Sequence, residues 1–362
     1  IRLIPVVSGV RLPVPPPMQM ISIYDKFKLL LLGNNLIKAN DKILLGVSGG
    51  SDSIALMDLF LTLKKELQIS IGVAHVNYGL RGIDSKLDEE LIRYICEKEQ
   101  INCYVFNVSK EILEKTNGSG LEEKARNIRY TYFNELKRIH YYSKIAIAHT
   151  KDDVVETLLF NLIRGTSPEK FSYVLPLYDD KSGILRPLIE FSKEELIAYN
   201  KSKGLEFRLD NTNKDLIYSR NRIRNEIIPQ IRKINPSFEN SILKFREILK
   251  IEEDFIDREI DKQFDGENIV KTDNSFLILK NYFINLHDAL KLRILRKIRE
   301  TLSGTLKDFY YSEIVHIKNG LMKTDNFKYF DKFIKVYIKG SWIIIENIKE
   351  GNIDEWRNWI RN

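Results

Sequence analysis

The sequence is poor in cysteine, with only Cys96 and Cys103 in 362 residues. They stand seven positions apart, with no C-x-x-C pair and no metal-ligand cluster around them. That disfavours a disulfide framework, a zinc site and an iron–sulfur site, and it suits a reducing compartment. No apolar run approaches the roughly 18 residues that a membrane-spanning helix needs, and there is neither an internal repeat nor a low-complexity tract. Two common nucleotide signatures are also missing. Without Gly-Lys-Ser/Thr there is no Walker A loop, and without G-x-G-x-x-G there is no dinucleotide fingerprint. What remains, 43% hydrophobic and 30% charged residues, reads as a soluble globular protein long enough for two or more domains. A formal charge of +7 hints at a polyanionic partner, provided the basic residues cluster.

The chain is organised around Ile43-Leu44-Leu45-Gly46-Val47, an apolar run of strand length that breaks into Ser48-Gly49-Gly50-Ser51-Asp52-Ser53. A helical pattern with Ile54, Leu56, Met57, Leu59, Phe60 and Leu63 follows. A strand that turns on two glycines into a helix suits phosphate binding. Glycine permits tight turns and close backbone approach, and a helix N-terminus offers free N–H donors and a positive dipole end. Asp52 can carry or position Mg²⁺, and Ser48, Ser51 and Ser53 can donate to phosphate oxygens. A plain turn into a capped helix is the alternative.

Residues 1–19, with a Pro cluster and little periodicity, are expected to be a leader, an expression scar or a peripheral arm. A helix is expected over 23–37. Strands are expected over 69–76, 101–108 and 144–148, with Asp84 or Ser85 capping a helix after the second. Strands alternating with helices up to about residue 190 indicate a doubly wound parallel α/β sheet, whose ligands bind at the carboxyl ends of the strands. The 48–53 turn, Arg81 and His149 all follow strands, so they should converge on one crevice. The expected domains are a nucleotide-binding catalytic domain over 20–232, a connecting helix over 233–264 and a small α+β domain over 265–362. The last is expected to hold a helix near 288–302 and a hairpin of 333–338 with 342–348.

Three further groups carry candidate chemistry. Asp153 and Glu156, at i and i+3 after His149, share a helix face where two carboxylates can hold an ammonium group, position Mg²⁺ or take up a proton. Balancing the helix dipole is the plainer role. Arg81 can neutralise phosphate with its planar fork or be a surface arginine. Arg126 and Arg129 can serve phosphate or pair with Glu122 and Glu123. The densest basic cluster is Arg220-Asn221-Arg222-Ile223-Arg224, whose natural use is contact with RNA phosphates, against a solvated helix face.

Together these motifs resemble the tRNA(Ile)-lysidine synthases, a family of pyrophosphate-loop ATPases. The match runs through residues 48–53, His75-Val76-Asn77 with Leu80-Arg81, Glu122-Glu123-x-Ala125-Arg126-x-x-Arg129-Tyr130 and His149-x-x-x-Asp153-x-x-Glu156-Thr157. It continues with Arg164-Gly165-Thr166, Arg186-Pro187-Leu188, and Asp210-x-x-Asn213 ahead of residues 220–224. It covers about residues 40–235 in family order, with a weaker pattern at 289–293 in the C-terminal part. A second C-terminal domain of longer members is expected to be absent. Tyr78 stands where a His is common, and Pro168 interrupts the stretch after Thr166.

The resemblance implies an adenine nucleotide alpha hydrolase-like fold and a two-step reaction on the wobble cytidine of CAU-anticodon tRNA(Ile). ATP adenylates the cytosine C2 oxygen; an amine of free lysine then attacks C2 and AMP leaves. Residues 48–53 are the ATP-binding residues, with Asp52 on Mg²⁺. Arg81 is placed to stabilise developing negative charge, and Asp153 and Glu156 to hold lysine. His149 or one of those carboxylates is the base for a lysine ammonium that must lose a proton before attacking. Arg126, Arg129, Arg220, Arg222, Arg224 and the C-terminal domain are the tRNA contacts. A cytoplasmic bacterial location or the interior of an organelle of bacterial descent follows, with no membrane partner and a homodimer as one candidate assembly. The rivals are a 2-thiolating tRNA enzyme, which would need better-placed cysteines, and an NAD or GMP synthetase, which would leave residues 220–224 without a role. The third is an inactive RNA-binding protein.

Overall fold

The computed structural model describes residues 21–80, 82–118, 120–208, 219–306 and 309–348. The arm at 1–19, Arg81, and Asp210 and Asn213 lie outside the described residues. The chain divides into two compact units, Ile1–Lys244 and Phe245–Asn362.

In order, the first unit contains α1 (Ile23–Gly33), β1 (Lys42–Gly46), α2 (Ser51–Glu66), β2 (Ser70–Asn77), α3 (Ile83–Lys98), β3 (Asn102–Asn107), α4 (Lys110–Lys115), α5 (Leu121–Ile139), β4 (Lys144–Ile147) and α6 (Lys151–Arg164). Then come α7 (Pro168–Ser172), β5 (Tyr178–Asp179), β6 (Ile184–Leu185), α8 (Lys193–Lys203), α9 (Ser219–Arg222), a π-helical turn (Ile223–Ile227) and α10 (Ile228–Ile234). The strands form one sheet in the order β3-β2-β1-β4-β6-β5. Every pairing is parallel except the edge pair β5–β6, which is antiparallel.

β1 is the central strand, flanked by β2 and β4. Its Ile43, Leu44 and Leu45 have no solvent exposure, as a strand covered on both faces requires. Period-2 alternation sends Ile43 and Leu45 into the layer of α1, α2 and α8, and Leu44 into the layer of α5 with Phe133, Leu136 and Ile145. α2 is apolar on nearly all sides because it is enclosed, and its Phe60 meets Phe27 of α1 edge-to-face at 5.2 Å. The boundaries of β1 to β4 lie within one residue of those read from the sequence, which gave no sign of β5 or β6.

The expected cap of α3 is different. Neither Asp84 nor Ser85 caps it; the helix starts after Gly82, at φ 56°, with no side-chain cap. Asp84 instead turns to Arg208, and Ser85 is buried, its carbonyl accepting from the Asn77 side chain at 3.3 Å. For Asp84 a long-range partner outcompetes the local one.

α11 (Phe238–Phe264) contains the boundary between the units. The second unit then holds β7 (Ile269–Lys271), β8 (Ser275–Leu279), α12 (Lys280–Asn285), α13 (Asp288–Ser303), α14 (Tyr311–Lys323), β9 (Lys328–Phe330), β10 (Ile334–Lys339) and β11 (Trp342–Asn347). Its sheet runs β7-β8-β11-β10-β9, antiparallel throughout. The β10–β11 hairpin turns on Gly340 at φ 60°, a conformation that glycine adopts without strain. Ile278, Val336, Ile343 and Ile345 face Ile294, Ile298, Ile317 and Leu321 of α13 and α14 in one core.

That core includes a charge. Arg299 of α13 has no solvent exposure; it donates to Asp331 at 3.1 Å and stacks on Phe333 at 4.2 Å. Asp331 also accepts from the Phe333 and Ile334 N–H groups at 2.7 Å each. Asp331→Ala leaves a buried guanidinium short of its counter-ion and should destabilise the second unit by about 3 kcal/mol. Denaturant unfolding measures this, and a change below about 0.5 kcal/mol would show the pair to be dispensable.

Candidate active site at the switch point of the sheet

The strand order reverses at β1 and β4, because β2 and β3 continue to one side and β6 and β5 to the other. A crevice opens outside the carboxyl ends of two such strands. Residues 48–53 follow β1, and His149 follows β4. Topology alone therefore brings these two segments to the same place.

The turn after β1 is fixed from three sides. From inside, the Ser53 hydroxyl accepts from the Ser48 and Gly49 N–H groups at 3.1 Å each and donates to the Gly50 carbonyl at 2.9 Å. Ser53 is buried, so it shapes the turn. From one flank, the Asn200 side chain of α8 donates to the Ser51 carbonyl at 2.8 Å. From the other, the Arg208 N–H donates to the Gly49 carbonyl at 3.2 Å, and its guanidinium pairs with Asp88 at 3.2 Å. Gly49 has φ 91°, and a Cβ there would lie 3.1 Å from Asp88, so conformation and space both select glycine. The first N–H groups of α2, which no helix can pair internally, face outward from this frame. The Ser51 hydroxyl donates to Asp52 at 2.9 Å.

The acids of α6 are engaged. Thr150 caps the helix in a capping box: the Thr150 N–H and hydroxyl donate to Asp153 Oδ2 at 2.8 and 2.9 Å, and the Asp153 N–H returns a bond of 3.4 Å. Asp153 Oδ1 accepts from Lys193 Nζ at 3.2 Å, with Arg224 Nη2 at 3.6 Å. Glu156, buried one turn on, is gripped by both arms of Arg224 at 2.5 and 2.7 Å. Asp152 accepts from the Lys193 N–H at 2.9 Å.

These contacts set the charges. Burial pushes the Asp153 carboxyl up, but Lys193 and the Thr150 bonds outweigh it and hold the group below the usual carboxylate range. Asp52 goes the other way: burial raises its pKa, and the like charges of Asp153 and Asp152 add to that against Lys193 and Ser51. Burial lowers the Lys193 pKa, yet Asp153, Glu156 and Asp52 together raise it on balance against Arg224. Asp52 of the turn and the acids of α6 thus sense each other's charge.

His149 is pushed down to about 3 by burial and by Arg186, Arg129 and Arg126, against the pull of Asp153. Arg186 Nε donates to His149 Nδ1 at 3.3 Å, which assigns the ring proton to Nε2. His149 is a neutral donor in this arrangement, and its Nδ1 lone pair is already used.

The arginines expected to meet RNA occupy distinct environments. Arg126 lies over the Tyr130 ring at 5.1 Å. Arg129 is exposed. Arg220 pairs with Glu122 at 2.7 Å and lies 5.5 Å from the Phe160 ring, whose other partner is Arg164 at 5.1 Å. Arg222 is exposed and pairs with Glu226 at 3.3 Å. Arg224 alone enters the acid cluster. Two positions apart on a helical segment, Arg222 and Arg224 point to different sides; the segment passes through the π-helical turn 223–227, and Pro229, which has no N–H to give, follows in the first turn of α10. Tyr78 donates to the Ala125 carbonyl at 2.7 Å, tying the end of β2 to α5, and Pro168 sits in the first turn of α7 behind its Ser167 cap.

Sequence reasoning missed Lys193, Asp152, Arg208 and Asn200, and assigned no role to Arg186. Only Arg186 carried a signal, as part of a family pattern. A lysine opening a helix, where acids are favoured, looks like an ordinary surface residue until its partners are seen. Among the described residues no group of three or more His, Cys, Asp or Glu side chains is placed to hold a metal ion. Cys96 and Cys103 belong to α3 and β3, outside the segments that build this crevice, and no described helix is long and apolar enough to cross a membrane.

A family model described as the PP-loop domain matches residues 22–231. A tRNA(Ile)-lysidine synthase of Clostridioides difficile is 32% identical over 331 residues, covering 90% of this chain and 71% of that protein. A namesake from Clostridium tetani is 34% identical over 286 residues, covering 79% of this chain and 60% of that protein. A third, from Caldanaerobacter subterraneus, is 33% identical, and the chain spans 62% of its length. Among solved structures, a U34-tRNA thiolase of Methanococcus maripaludis superposes with TM-score 0.53 at 21% identity, over 63% of this chain and 78% of that one, a likeness of fold. With the loop, the sheet order and the acid cluster of α6 in one crevice, the chain belongs to the PP-loop proteins and, among them, to the tRNA(Ile)-lysidine synthase family.

Proposed function

We propose that this protein joins lysine to C2 of the wobble cytidine of CAU-anticodon tRNA(Ile), forming lysidine in two steps. The cytosine C2 oxygen attacks the α-phosphorus of ATP and pyrophosphate leaves. A lysine amine then attacks C2, and AMP departs with that oxygen. The observation that carries this reading is the juxtaposition, at one switch point, of a phosphate-type turn and an ammonium-binding acid cluster whose charges are coupled.

Pyrophosphate belongs on the Gly49–Gly50 turn and the N-terminus of α2. Mg²⁺ typically takes one or two protein carboxylates and fills its shell with phosphate oxygens and water. A lone, partly buried Asp52 beside the turn fits that pattern, and the ion would neutralise phosphate charge when bound. Asp153 and Glu156 are the proposed seat of lysine. His149, donating through Nε2, orients an acceptor and does not remove the proton of the attacking amine. Arg126, Arg129, Arg220, Arg222 and the second unit are proposed to hold the tRNA, while Arg224 serves the acid cluster directly. Arg81 keeps its proposed role towards developing negative charge.

With ATP, Mg²⁺, labelled lysine and a CAU-anticodon tRNA(Ile) transcript, label should enter the RNA. A folded protein that leaves the RNA unlabelled sinks the reading. Asp52→Ala should slow tRNA-dependent pyrophosphate release about a hundredfold, and normal release would remove Asp52 from the metal role. His149 yields a pH prediction of definite sign. Its folded pKa lies below the ordinary value of about 6.5, so the unfolded chain takes up a proton first as pH falls. Its contribution to stability is therefore lost progressively from about pH 6.5 towards 3. Its ring protons should show no titration by NMR between pH 8 and 5, and a midpoint near 6.5 would refute the assignment.

A further inference from the structure

The acceptor atoms proposed for the substrate lysine are already occupied by groups of this chain. Asp153 Oδ2 takes the Thr150 N–H and hydroxyl, and both Glu156 oxygens take Arg224. Asp153 Oδ1 takes the Lys193 ammonium at 3.2 Å, with Arg224 at 3.6 Å behind it. A substrate ammonium arriving here meets resident cations of like charge, and the place on Asp153 Oδ1 is already taken by an ammonium.

The two residents differ in how firmly they are held. Arg224 grips Glu156 with a planar fork at two points, and its guanidinium cannot leave one without losing both. Lys193 reaches Asp153 with a single bond from a flexible four-carbon stem, and its side chain is 26% exposed. Its backbone is fixed independently, by the Ser192–Glu195 capping box of α8 and by the N–H bond to Asp152. The side chain can therefore swing away without disturbing the helix that carries it. The leaving and arriving groups are also chemically identical, each a primary ammonium on an alkyl chain.

From this geometry we propose that Lys193 is an internal stand-in for the substrate: its ammonium fills the Asp153 seat in the lysine-free protein, and free lysine binds by displacing it. The inference rests on the reading of Asp153 and Glu156 as the lysine seat. The exchange at Asp153 is nearly neutral in energy, one ammonium–carboxylate contact for another. Net affinity must come from the rest of the amino acid, and a ligand without an ammonium cannot evict Lys193 on equal terms. Lys193 is thus a determinant of amino-acid affinity and selectivity. Once displaced, its charge remains near Asp52 and the phosphate turn, both within the same crevice.

Two measurements test this. Lys193→Met keeps the length of the side chain and removes the competitor, so the KM for lysine in lysidine formation should fall about fivefold, the value of one weakly held ion pair. Lys193→Arg restores a cation on Asp153 and should return the KM to the wild-type value or above. A Lys193→Met KM equal to or above that of the wild type overturns the proposal, since a residue that merely supports Asp153 raises the KM when lost. The second measurement needs no variant. In brief amine labelling of the wild-type protein, read by mass spectrometry and normalised to the exposed Lys65, saturating lysine should increase modification of Lys193. Unchanged or reduced modification also overturns it. If the wild-type protein incorporates no lysine into RNA at all, the reading of the function fails; if it does and these two results go the other way, only the role of Lys193 fails.

Discussion

The crevice depends on holding four carboxylates, Asp52, Asp152, Asp153 and Glu156, close enough to affect one another. Bare acids so placed would repel, and some would take up protons. Cations of this chain prevent this, Arg232 standing 3.9 Å from Asp152. Arg224 neutralises Glu156 and leans towards Asp153, while Lys193 bonds Asp153 through its ammonium and Asp152 through its backbone. Three elements distant in sequence, α6, α8 and the π-helical turn, are joined by this charge balance. The adjoining phosphate turn is held in a different way, by neutral bonds from Ser53 and Asn200 and by the Asp88–Arg208 pair behind Gly49.

Balanced charge also bears on the chemistry. The obvious bases are poor ones as the site stands. His149 is neutral with its Nδ1 lone pair taken by Arg186, Asp153 is held below the usual carboxylate range, and both oxygens of Glu156 are bound to a guanidinium. On the proposed function, a lysine ammonium entering such a place would meet carboxylates that attract it and cations that oppose its charge. Removing its proton would then require these partners to rearrange, so that binding and activation of the nucleophile would draw on the same contacts.

Much of the sheet was legible because strand signals are local. Ile43, Leu44 and Leu45 announce a fully enclosed strand, and the glycines after them announce its turn. Parallel order then followed from the alternation of elements, and the antiparallel edge pair β5–β6 escaped notice because each strand is two residues long. The crevice was legible to the extent that its groups follow strands, as residues 48–53 and His149 do. The groups that steady the crevice from a distance were not legible in this way. Lys193, Arg208 and Asn200 act through partners more than 39 positions away in sequence, and no spacing rule reports such a partner. Asp84 illustrates the converse, a good local capping signal overruled by a tertiary partner.

The π-helical turn at residues 223–227 has a consequence for how this segment can vary. A turn with one residue more than an α-helix advances the following side chains by about a hundred degrees. Arg222 lies towards solvent while Arg224, two positions on, reaches Glu156, and the step sets the direction of both relative to α10. Composition alone does not secure this outcome. Deleting one residue would restore a regular helix with every arginine still present, yet it would change which of them points into the crevice. The number of residues between the basic cluster and Pro229 is therefore as much a part of the site as the arginines themselves.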